Sequence, residues 1–376
     1  MKRTLLLAVL TLFLPLSQTF AQAPEEAQLT ALAQEAVAAQ NDILVTGDVE
    51  GSLRKRPQAA GFRGGIQGHF ESLVHRREML AKKGADYKSH KTDMKINSTK
   101  VEGTRATQTA TEHVVLALDP ALHGPTETEY KQDHIFEYVK EGDQWRMASD
   151  TIVIPPPLPE EIKGPPGGKP TVQAPPGHRP SQNRQKPGIA LGPRRAPGVA
   201  FASMVRPASF AMMYATYTPS AAVNYALTYW SSYNTSQYRS YSNDCTNFVS
   251  QSVRAGGWPF DETGDRTLPD TWYYGSFTFT TSYSWAGAHN FNQFFNQSGR
   301  GFVATYFEDM LTGDVLQADF EPDGNIQHSM VVTSKDANNT LYLTYHTNDN
   351  RNRPLPDLLA IYPNARWYGL AMYYSF

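Results

Sequence analysis

Between Pro155 and Pro197 the chain carries half of its 26 prolines, interleaved with glycines. Proline offers no N–H to a ladder and its ring clashes inside a helix, so this stretch can build neither helix nor sheet interior. It reads as an extended linker, rising about 3 Å per residue where polyproline-like. The 376 residues are thereby cut into a part at 24–154 and a part at 199–376, separated by a linker at 155–198. Each part is long enough to bury a core. Lys163, Lys169, Arg179, Arg184, Lys186, Arg194 and Arg195 give the linker a positive excess. That excess suits an anionic surface such as a bacterial wall polymer, although a merely solvated linker is the plainer reading.

Met1-Lys2-Arg3, the apolar run Leu5 to Leu16 and then Ala21-Gln22-Ala23 have the layout of an export signal. The run is too short to cross a bilayer, and no later run is longer. Residues 1–23 are therefore expected to leave a secreted or periplasmic (cell-envelope) protein after cleavage behind Ala23 or Ala21. A formal net charge of −2 supplies no field that would favour nucleic acid.

In the first part, Leu29, Leu32, Ala33, Ala36 and Val37 fall at helical spacing within Glu25 to Ala39. A second helix is expected from Ile66 to Lys83. Beyond Tyr87 the pattern becomes strands rich in Thr, Val and aromatics, with Glu141-Gly142-Asp143 as a hairpin turn. Helices followed by an antiparallel meander predict an α+β domain. It resembles the cone-shaped folds of the nuclear transport factor two type. His69, His75, His113 and His134 lack metal-ligand spacing, and nothing here points to chemistry.

The second part holds 17 of the 20 tyrosines and five of the six tryptophans, which core packing explains most simply. Thr218 and Pro219 open its first helix. The only cysteine, Cys245, follows Tyr241-Ser-Asn-Asp and precedes Thr-Asn-Phe-Val-Ser-Gln251, with Gly256-Gly257 as the stop. Asn243 or Asp244 is placed to cap this helix, and Cys245 then sits in its first turn. There the dipole and unpaired N–H groups favour a thiolate. In an exported chain an odd cysteine is either a reactive thiol or a buried structural one, and the polar flanks favour the former. Another helix is expected around Trp285 to Phe295. Strands follow at Asp314–Phe320, His328–Thr333 and Leu341–His346.

A cysteine amidase needs a thiolate, an imidazole to carry its proton, and a third polar group to orient the imidazole. Cys245, then His328 at the start of an apolar strand, then His346 and Asn348 at the end of the next come in that order. Strand alternation puts His346 and Asn348 on one face, so either could reach the second nitrogen of His328. There is no His-Glu-x-x-His, no cysteine pair for zinc and no phosphate-binding glycine loop, so no cofactor or metal is implied.

These motifs (Asn243-Asp-Cys-Thr-Asn-Phe-Val-Ser-Gln251, Gly313-Asp-Val, Gln327-His-Ser-Met-Val-Val-Thr and Tyr345-His-Thr-Asn-Asp) resemble the putative amidase domain family. That family is similar to CHAP-type and other papain-like cell-wall cysteine amidases. The resemblance covers roughly Thr218 to Phe376. It implies a papain-like α+β domain, Cys245 as nucleophile, His328 as base and His346 as the orienting residue, with Asn348 open. With export, it implies hydrolysis of a peptide or amide bond in bacterial peptidoglycan. The rival readings are an acyltransferase using the same thioester, and a non-catalytic wall- or glycan-binding module.

Overall fold

The computed structural model describes residues 17–56, 67–153 and 217–373. Most of the expected leader and all of the Pro-rich linker lie outside them. The described chain is α+β, built on a large antiparallel sheet covered by helices.

The first helix, α1, runs Ser17–Thr46, longer than the Glu25–Ala39 stripe suggests. Past Ala39 it continues through Ile43 and Leu44, which are fully buried. α2 (Val49–Lys55) is capped by Asp48, whose carboxylate accepts from the Gly51 N–H, and α3 spans Gln67–Ala81. Four strands follow: β1 (Ser89–Glu102), β2 (Arg105–Ala117), β3 (Glu127–Glu141) and β4 (Gln144–Ile152). The β3–β4 turn is the expected one, and Gly142 takes the left-handed φ of 62° that a tight hairpin needs. β2 alternates buried and half-exposed positions, and its inner row packs on α1. Leu29, Leu32, Ala33 and Val37 close over Ala106, Ala110, Phe136, Tyr138 and Trp145.

In the second half, α4 (Pro219–Tyr229) starts at the predicted Thr218-Pro219. α5 is Cys245–Ala255. The single helix expected around Trp285 is two, α6 (Tyr283–Ala286) and α7 (Ala288–Ser298), broken at Gly287 in an extended conformation. β5 (Gly301–Ala304), β6 (Val315–Asp319), β7 (His328–Lys335), β8 (Leu341–Tyr345) and β9 (Asn350–Pro354) precede α8 (Leu355–Ile361) and β10 (Arg366–Met372). The strands lie in the order β1-β2-β3-β9-β8-β7-β6-β10-β5, with β4 also on β3.

One face of β6, β7 and β10 takes Phe248, Val249 and Val253 of α5 and the buried rings of Trp258, Trp272 and Trp285. The aromatic surplus is therefore core. Each such side chain contributes roughly 1.5–3 kcal/mol when fully buried. Leu316, Met330, Val332, Leu343 and Tyr345 line the opposite face against α8. Gly257 carries the φ of 106° that ends α5. A side chain on Gly256 would strike the Tyr217 ring, so close packing is why glycine stands there.

The linker alone does not join the halves. β3 is long enough to pair β4 with one end and, at Glu129–Tyr130, to pair β9 with the other. Tyr342 of β8 packs within the α1–α3 core. Asp357 of α8 is buried and bonds Arg76 of α3 at 2.7 and 3.1 Å and Arg353 at 2.9 Å.

Candidate active site

Cys245 is the first residue of α5, as the turn signals require, but Asp244 does not cap the helix with its side chain. One carboxylate oxygen accepts from the Tyr241 N–H (2.8 Å) and the Asn247 amide (2.8 Å). The other meets His346 Nδ1 at 2.7 Å. The thiol leans on its neighbours instead: Sγ donates to Asn243 Oδ1 (3.4 Å) and lies 3.8 Å from the Gln327 carbonyl. Thr246, next along the helix, bonds Ser329 Oγ at 2.9 Å and so fastens the start of α5 to the start of β7.

The expectation of a preformed thiolate is reversed by this setting. Cys245 is buried, and that burial pushes its thiol up, aided by the adjacent Asp244 carboxylate. Hydrogen bonds from Thr246 and from the Ser329 N–H work the other way without prevailing. The dipole of an eleven-residue helix cannot offset the cost of desolvating a charged sulfur.

His328 opens β7 as predicted. Alternation along the strand turns Ser329 and Val331 toward α5, and His328, Met330 and Val332 toward the other face. The imidazole packs edge-on to Tyr345 (centroids 4.9 Å) and near Phe320 (5.8 Å). Burial, with the Arg353 charge nearby, lowers its pKa to about 4, so the ring is neutral at ordinary pH. It makes no hydrogen bond among the described residues, and none joins it to the sulfur. The main chain that carries it nevertheless runs directly beside Sγ.

His346 is not beside His328. β8 ends at Tyr345, and His346 is held by Asp244 through Nδ1 and by the Tyr229 carbonyl, 2.8 Å from Nε2. Its ring is sandwiched between Phe248 and Tyr233, each at a centroid distance of 4.0 Å. Neither nitrogen is left to orient a second imidazole. Asn348 does not share a strand face with His346, because Thr347 and Asn348 take left-handed φ values of 71° and 57°. For a β-branched threonine this conformation is strained, costing on the order of 1–3 kcal/mol. Strand alternation therefore stops one residue before the positions to which the sequence argument applied it.

The strained turn is tied to the nucleophile's own loop. Thr347 Oγ1 accepts from the Asp244 N–H (3.1 Å) and donates to Asn243 Oδ1 (3.2 Å). Asn243 thus receives the thiol and the Thr347 hydroxyl on one oxygen. Asp244 as the partner of His346, and Thr347 as the clamp, were not singled out from the sequence. The run Asn-Asp-Cys, with two polar residues ahead of a lone cysteine, was the available signal. Beside this turn lies a cleft of about 510 Å³ whose walls include Lys131 and Asp133 of β3, together with Tyr233, Ser242, Thr347 and Asp349.

In this half, a helix headed by a cysteine packs against an antiparallel sheet that carries histidines. Residues 216–370 match the family of the putative amidase domain, which points to an amide hydrolase. Uncharacterized protein YhbB of Bacillus subtilis (strain 168) is 34% identical over 151 residues, 39% of this chain and 47% of its own. Uncharacterized protein YjcM of the same organism is 31% identical over 149 residues, 37% of this chain and 32% of its own. The matched regions thus span less than half the length of these curated relatives. Among solved structures, the Kfla4162 protein from Kribbella flavida is similar over 34% of this chain and 91% of its own, with 15% identity and a TM-score of 0.24. A likeness that distant carries no argument.

Proposed function

We propose that residues 216–370 form a papain-like cysteine amide hydrolase in which Cys245 is the nucleophile and His328 its base. The observation that carries this is the sulfur's place at the head of α5, against the main chain of residues 327–329. His328 has no hydrogen-bond partner among the described residues, whereas His346 is held through both nitrogens. Thiol and imidazole both rest uncharged, so the proton moves during attack and no standing ion pair is required. In this reading the His328 side chain leaves the sheet face it shares with Tyr345 and Phe320 and swings round the start of β7 to meet Sγ. Attack on the amide carbon forms a thioester as the proton passes from sulfur to imidazole and on to the leaving amine; water then releases the acid. In this reading the first-turn N–H groups of α5, that of Cys245 foremost, supply the oxyanion donors.

His346 then acts by holding Asp244, and through it the loop that carries Asn243. Asn348 becomes part of the cleft wall. The export reading and the resemblance support a peptide or amide bond of bacterial peptidoglycan as substrate, outside the cytoplasm. In the same reading residues 24–154 are an accessory domain of the cone-like type. The test is mass spectrometry of fragments released from purified peptidoglycan by wild type and by Cys245→Ala. Fragments from the wild type alone support the proposal. Release that survives Cys245→Ala removes it, and transfer to an added amine in place of hydrolysis would make the domain an acyltransferase.

A further inference from the structure

The cleft between the two halves is walled on one side by the accessory strands β2 and β3 and on the other by the loop leading into Cys245. Its volume, about 510 Å³, falls in the range of small-ligand sites. Lys131 and Asp133 stand two apart on β3 and therefore on one face, about 7 Å apart along the strand. The Lys131 ammonium lies over the Trp230 ring at 5.5 Å, and the Asp349 carboxylate across the cleft feels its charge. The Asp133 carboxylate accepts the Thr111 hydroxyl at 2.6 Å, and its main-chain carbonyl accepts from the Val153 N–H at 2.9 Å. Facing them, the Asp349 carboxylate accepts from Tyr233 OH (3.0 Å), and its main-chain carbonyl accepts from the Lys131 N–H (2.8 Å). The cleft thus offers one cation and two anions on opposed walls. Its shared wall, the left-handed Thr347-Asn348 turn, bonds the same Asn243 oxygen that accepts from the thiol.

We propose that this cleft binds a short zwitterionic peptide, with its carboxylate on Lys131 and its ammonium between Asp133 and Asp349. Two extended residues span about 7 Å, which matches the backbone spacing of positions 131 and 133 on β3. The accessory half therefore contributes side chains to substrate recognition, and contact at Thr347 reaches the nucleophile through Asn243. This deepens the proposed hydrolase and rests on that reading in treating the cleft as the approach to Cys245.

The experiment is calorimetric titration of the full-length Cys245→Ala protein with alanyl-alanine, its N-acetyl form and its C-terminal amide. The free dipeptide is expected to bind with a Kd of about 1 mM or tighter. Each blocked form, and each of Lys131→Met and Asp133→Asn, should weaken binding about tenfold, the worth of one charged hydrogen bond. Absence of saturable binding, equal binding of blocked and free peptides, or binding indifferent to both substitutions would overturn the inference. The blocked-peptide comparison needs no change in the cleft, so it decides the matter even if a variant fails to fold. Because binding is read without turnover, a protein that proved non-hydrolytic would still answer this question. Hydrolysis without dipeptide binding would remove this inference and leave the hydrolase standing.

Discussion

Asp357→Asn tests how the two halves are held together. The carboxylate is 1% exposed and meets Arg76 at 2.7 Å and Arg353 at 2.9 Å. Tyr87 OH lies 3.4 Å away. Burial alone would raise its pKa, but the two guanidinium groups prevail and hold it far below the usual carboxylate range. Replacing it by an isosteric amide keeps the shape and removes the negative charge that bridges two partly buried guanidinium groups. Breaking a buried pair from one side costs about 3–5 kcal/mol, because the remaining charge is left unneutralised. For a protein of this size that is a fall in Tm of roughly 5–15 °C. The assay is urea unfolding together with a thermal scan, with the triple change Arg76→Met/Arg353→Met/Asp357→Leu as control. Removing all three charges replaces the network by apolar contacts and should cost less than the single change. A loss below about 1 kcal/mol for Asp357→Asn, or a triple variant no more stable than the single one, would refute the reasoning.

Iodoacetamide should label native Cys245 more slowly at pH 7 than the urea-unfolded chain, since burial keeps the native thiol protonated; faster native labelling would mean that the thiolate is stabilised after all. The acid limb of kcat/KM should reflect His328, present above about pH 4 and lost as pH falls through it; a limb near the ordinary histidine value of about 6.5 would point to another base. For His134 the sign is opposite. Burial lowers its pKa, but hydrogen bonds to Asp150 (2.7 Å) and Glu112 (3.2 Å) outweigh burial and raise it to about 9. The stability this gives is fully present below the unfolded value near 6.5 and is lost as pH rises through 9. Denaturation midpoints followed from pH 6 to 10 should fall over that window in the wild type and stay flatter in His134→Gln.

α1, α3, α4, the hairpin at Gly142 and the cysteine at the head of α5 were legible in the sequence, because each rests on local spacing. Periodicity reports which face of an element is apolar, and caps and glycines report where it ends. The same local rule failed at residues 346–348, where two left-handed residues end the alternation. It failed again for the thiol, because the helix dipole can be read from position whereas burial is a property of everything packed around it.

What the sequence determined alone was the α+β character and the residue types available for amide chemistry. The tertiary structure decided that β3 pairs with β9, that Asp244 takes His346 and leaves His328 alone, and that a cleft opens where strands from both halves meet. The reason is sequence distance. Asp244 and His346 are 102 residues apart, Arg76 and Asp357 are 281 apart, and no local pattern encodes which remote group will balance a buried charge.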